Sequence, residues 1–254
     1  MSRDSRNYIL ILSFTVLMSL YYLYISHTSY IYLSLGLSIL FSMILTFFIV
    51  KKNNKFIDIL NFCLLPLTLT CSLYASSMLI IRSFVVWLGL ILILILSYYF
   101  KQVYIYNNKT REYKIGTLEN FSSNDNLISF ALFSFAMYGF RTELNTSNWI
   151  VLPILALFSA ISIYQLFWAH KLEFREMLPT LLVTIITLTE IAWAINLLPF
   201  DYLSTGILLS IIFYAFTNIS KHFLLKKIDT KKVHYYLTFV VITYILIFLS
   251  VRWL

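Results

Sequence analysis

Residues 8–25, YILILSFTVLMSLYYLYI, and residues 30–50, YIYLSLGLSILFSMILTFFIV, carry no charged side chain, and only the four residues Ser26-His27-Thr28-Ser29 separate them. A helix rises about 1.5 Å per residue, so about 20 apolar residues match the roughly 30 Å hydrocarbon core of a bilayer. Two runs of that length, back to back, predict a helical hairpin through a membrane. Working outward, seven further segments follow: 56–76, 83–100, 127–140, 149–169, 177–198, 202–220 and 235–251. The expected fold is therefore all-α, a polytopic transmembrane helix bundle of nine spans. The fifth segment is the shortest and needs Asn126 and the residues from Arg141 onward to lie at the membrane surfaces.

Composition agrees. Of the 254 residues 60% are hydrophobic and 12% charged, against about 45–50% apolar and 25% charged in a soluble domain. A chain of this size has too little interior to hide so much apolar surface from water. Arg3 and Arg6 precede the first run as in a signal peptide, but no small-residue cleavage site follows, so that run is read as a retained anchor.

Charge orients the bundle. With the N-terminus cytoplasmic and nine alternating spans, sixteen of the nineteen Lys and Arg residues fall inside: Arg3, Arg6, Lys51, Lys52, Lys55, Lys101, Lys109, Arg111, Lys114, Lys171, Arg175, Lys221, Lys226, Lys227, Lys231 and Lys232. Only Arg82, Arg141 and Arg252 fall outside. This is the asymmetry of the positive-inside rule, and the chain is expected in the cell's inner (plasma) membrane. The chain divides into a four-helix half over 1–100, a basic cytoplasmic loop over 101–126 and a five-helix half over 127–254. In that loop Lys101, Lys109, Arg111 and Lys114 are expected to contact anionic lipid headgroups. The net charge of +8 is thereby a membrane-surface feature, and nucleic acid is not an expected partner.

Chemistry is sparse. No H-E-x-x-H, phosphate loop, G-x-S-x-G or C-x-x-C occurs, so no catalytic residue, metal or cofactor is assigned. His170 and Glu173 lie three apart, but a di-metal bundle site needs matching carboxylates on other helices. Cys63 and Cys71, eight residues apart on one span, lie too far apart along a helix for a disulfide.

Glu190 is the exception. It sits inside the seventh segment, eight residues before Leu198, and intramembrane carboxyls usually face a bundle interior. Thr180, Thr184, Thr187, Glu190 and Ala194 recur at helical spacing. On the next span Gly206, Ser210, Tyr214, Thr217 and Lys221 form a second small or polar face. Across the tight turn Pro199-Phe200-Asp201, Glu190 is expected to reach Ser210 or Tyr214, with Thr187 beside it. Such a group serves either as a proton, cation or substrate site or as a hydrogen bond that locks two helices. On the second span Ser34, Ser38, Ser42 and Thr46 repeat every four residues, as a close-packing face would.

The stretch from Tyr164-Gln165-Leu166-Phe167-Trp168-Ala169-His170 through Glu190-Ile191-Ala192-Trp193, Leu198-Pro199-Phe200 and Phe213-Tyr214 resembles a family of uncharacterised polytopic bacterial membrane proteins. The resemblance covers the C-terminal half and implies membrane location but no activity, ligand or site residue. The expected function is a non-catalytic component of an envelope or membrane complex, with a membrane-protein partner. The alternatives are a small proton-coupled carrier using Glu190, or a membrane-embedded enzyme on a lipid-linked substrate.

Overall fold

The computed structural model describes residues 4–50, 56–108, 113–114, 116–198, 200–226 and 229–250. Nine α-helices occur among them: α1 Asp4–Ser26, α2 Ile31–Val50, α3 Phe56–Ser77, α4 Arg82–Asn108, α5 Thr117–Glu143, α6 Asn148–Ala169, α7 Phe174–Ile195, α8 Tyr202–Leu224 and α9 Thr230–Ser250. Seven of these, all but α5 and α9, are long and apolar enough to cross a membrane. The apolar part of α9, Val233–Leu249, is shorter than the others. Helix covers most of the stretch expected as a basic loop: α4 continues through Lys101 to Asn108, and α5 begins at Thr117.

The chain forms two compact units, Met1–Ser129 and Phe130–Leu254, whose boundary falls within α5. In the first unit α1 packs on α2 and α4, and α3 on α2 and α4. The four-residue stripe of α2 is a packing face as its spacing predicts. Ser34, Ser38, Ser42 and Thr46 are all buried, and the Ser34 and Ser38 hydroxyls pair with the Tyr74 hydroxyl of α3 at 2.6 and 3.0 Å. Tyr21 donates to the Val85 carbonyl at 3.1 Å and Tyr24 to the Ser77 carbonyl at 3.2 Å. Tyrosine can fill apolar space and still satisfy its hydroxyl on a neighbouring backbone, and these three rings lie 5.5–5.8 Å apart in one cluster.

Pro66 lies inside α3, which continues through it. A proline has no N–H, so the carbonyl four residues earlier loses its helical partner. That carbonyl belongs to Phe62, and the Tyr99 hydroxyl of α4 donates to it at 3.0 Å. The neighbouring helix thus supplies the hydrogen bond that proline removes.

In the second unit α6 packs on α7, α7 on α8 and α8 on α9. The C-terminal half of α5 is tied to three of them. Phe133 stacks on Phe158 of α6 and Phe130 on Phe213 of α8, with centroids 3.8 and 3.9 Å apart. Tyr138 donates to the Ala192 carbonyl of α7 at 3.1 Å. Ser134 pairs with Ser210 of α8 at 3.2 Å. The polar residues that begin α5, not this half, keep its hydropathy below that of the seven apolar spans.

Candidate functional site

On α7 the buried residues are Met177, Leu181, Thr184, Leu188, Ala192 and Ile195, a single stripe at steps of three and four. Glu190 is not on it. Each residue advances about 100° around a helix, so the two steps of three from Thr184 through Thr187 to Glu190 fall about 120° behind. The polar stripe read from the sequence rotates out of the interface as it climbs. Thr184 remains inside and pairs with Ser220 of α8 at 3.1 Å. Thr187 is half-buried and donates to its own Val183 carbonyl at 2.9 Å. Glu190 is exposed, among Val183, Ile186 and Trp193 on the outer surface.

The expected partners of Glu190 are otherwise engaged. Ser210 donates to the Gly206 carbonyl at 2.6 Å and pairs with Ser134. The Tyr214 ring meets Tyr236 and Phe239 of α9 at 5.9 and 6.3 Å. The small-residue face of α8 is real, with Gly206, Ser210 and Thr217 all buried, but its hydroxyl contact is α5. Glu190 is also shallower than its spacing to Leu198 implied, because α7 ends at Ile195, about 8 Å beyond Glu190.

Among the described residues the acid that the fold does bury is Asp125 of α5, only 2% exposed. Among the described residues its Oδ2 has no hydrogen-bond partner, and neither does the buried Ser129 hydroxyl one turn on. Asp125 and Cys63 both lie near the Tyr99 hydroxyl, so the three share one locality of the first unit. Asp125 belongs to none of the seven apolar spans and precedes the apolar stretch 127–140. Burial pushes its carboxyl up to about 8 from 3.8, because a low dielectric disfavours the charged form. The sequence pattern could have found it: Leu118, Ser122, Asp125, Ser129 and Phe133 are all buried at steps of three and four, a helix face written largely in polar residues.

A search of protein families matches residues 9–250 to a protein of unknown function family, DUF5656. The chain belongs to this family. The match reaches well beyond the C-terminal half on which the resemblance rested. No curated protein matches this DUF5656 chain, and no solved structure does.

The remaining sequence candidates of the DUF5656 chain fall on α4, before α5 and at the α6–α7 turn. Lys101 is half-buried, its Nζ 6.0 Å from the Tyr98 ring centre. Lys114 is exposed, and Lys109 and Arg111 lie outside the described residues. Nearby, Tyr113 accepts from the Leu118 N–H at 3.1 Å and donates to Glu119 Oε2 at 2.7 Å. It thereby closes the N-terminus of α5, where a carboxylate also suits the helix dipole. Burial, reinforced by Glu119, pushes the Tyr113 hydroxyl up to about 12. His170 ends α6 with Nδ1 2.9 Å from the Leu166 carbonyl, and Glu173 is the exposed residue before α7.

Proposed function

We propose that this protein is a non-catalytic component of a membrane complex that crosses the bilayer nine times, with its N-terminus and lysine-rich loops in the cytoplasm, and that two copies associate through the outer face of α7. The charge partition carries the orientation; the observation that carries the association is the exposed Glu190 within an apolar helix surface. Ionisable groups within a bilayer nearly always face protein or water rather than lipid. A second copy covers this face naturally. Identical chains inserted in the same direction place Glu190 at equal depth across a two-fold axis, so any contact forms twice. Trp193, exposed and one turn on, offers an indole N–H to Glu190 of the partner subunit. The carrier alternative would have to rest on Asp125, the acid the fold encloses.

Cysteine cross-linking in native membranes tests the association. With Cys63 and Cys71 replaced by Ser, Ile186→Cys on the outer face should give disulfide dimers, whereas Leu188→Cys, 2% exposed, should not. Glu190→Leu should lower the dimer yield and Glu190→Gln, which keeps an acceptor, should preserve it. A heterologous adduct at Ile186→Cys in place of the dimer would replace the second copy with a different partner. A yield unaffected by Glu190→Leu would remove Glu190 from the contact.

A further inference from the structure

At the end of the second unit away from the Lys171 and Lys226 turns, a polar cleft of about 480 Å³ opens between the end of α5, the start of α6 and the end of α7. Arg141, Asn145, Asn148 and Asn196 line it with two threonines. Arg141 is half-buried and has no acidic partner among the described residues; it donates to the Asn196 side-chain oxygen and, at 3.4 Å, to the Asn196 carbonyl. This contact fixes the Asn196 amide. With Oδ1 turned to Arg141, Nδ2 points elsewhere, and this donor, on a side chain 7% exposed, has no partner among the described residues. In the same lining the buried Oδ1 of Asn148 is an acceptor without a donor among the described residues.

We infer that this cleft binds a phosphate ester that carries a neighbouring hydroxyl or ammonium group. The guanidinium of Arg141 and the orphaned amide N–H of Asn196 supply a charge and donors for phosphate oxygens. Asn148 Oδ1 accepts from the ligand's own donor. Satisfying a buried, unmade hydrogen bond is favourable because leaving it unmade costs the full desolvation of the group. The start of α6 at Asn148 also presents the end of a helix dipole that attracts anions. The ends of α5 and α7 oppose this, and Arg141, in the last turn of α5, offsets them with a full charge. The same chemistry is found in an anionic lipid headgroup and in a soluble phosphate ester.

The test uses the full chain in phosphatidylcholine nanodiscs, comparing added glycerol 3-phosphate with nanodiscs that also contain phosphatidylglycerol. Stabilisation by glycerol 3-phosphate would identify a soluble ester; stabilisation by phosphatidylglycerol alone would identify a headgroup. In either case Arg141→Gln and Asn196→Asp should weaken binding at least about tenfold, the scale of one charge-assisted hydrogen bond. Arg141→Lys should retain part of it. Arg141 and Asn196 also join α5 to α7, so Asn148→Ala serves as the variant whose side-chain oxygen holds nothing in the protein. It should weaken binding several-fold without lowering the ligand-free melting temperature. If neither ligand stabilises the protein, or if the effect survives in all these variants, the site is refuted. It is equally refuted if phosphatidylglycerol binding is lost only in Lys101→Gln/Lys114→Gln.

Discussion

Gly206→Ala is expected to lower the stability of the protein by about 1–3 kcal/mol, the usual cost of forcing extra volume into a packed interior. A Cβ at position 206 would stand 2.7 Å from Phe135 Cα and 2.9 Å from Phe135 N. Both are backbone atoms, so no side chain can rotate away and α5 must separate from α8. Separation would break the Ser134 contacts with the Gly206 carbonyl and with Ser210 and disturb the Phe130–Phe213 stack. Gly36 is the control, since nothing lies within 4 Å of a Cβ built there. Thermal unfolding in detergent should show a clear loss for Gly206→Ala and none for Gly36→Ala. Equal melting temperatures for the two variants would contradict the α5–α8 packing.

Asp125→Asn should stabilise the protein, and only at higher pH. The folded carboxyl sits at about 8 against 3.8 in the unfolded chain. Below 3.8 both states hold the proton and the difference vanishes. Between 3.8 and 8 the unfolded state ionises while the folded state stays protonated, so stability falls as pH rises, and the loss levels off above 8. Asparagine removes this dependence, with a gain above neutrality on the order of a few kcal/mol. Melting temperatures of parent and variant should therefore converge near pH 4 and diverge toward pH 8.5. Parallel curves across that range would mean that Asp125 is not buried as described.

How much could be read in advance follows from what each pattern encodes. Uninterrupted apolar runs report lipid contact directly, and α1–α4 and α6–α8 lie where those runs predict them. The α2 serine stripe was legible because steps of four stay close to one face of a helix. Glu190 departs from its expected place for the converse reason: repeated steps of three drift backward around a helix, and α7 ends at Ile195, short of Leu198. The beginning of α5 was read as loop because Ser122, Ser123, Asn124, Asp125 and Asn126 lack apolar character, although their burial follows a helical period. Arg141 looked like a surface anchor, since its pairing with Asn196 joins helices 55 residues apart in sequence and no local pattern marks such a pair.

In the proposed topology the chain threads a membrane with its lysine-rich turns on one side and the Arg141 cleft on the other. Single cysteines at Asn145, Lys171 and Asp229, on a Cys63→Ser/Cys71→Ser background, report it directly through labelling of intact cells with a membrane-impermeant maleimide. Position 145 should react in intact cells, and positions 171 and 229 only after the membrane is permeabilised. Reaction of 145 and 171 from the same side would contradict the account, because α6 would then not cross the bilayer.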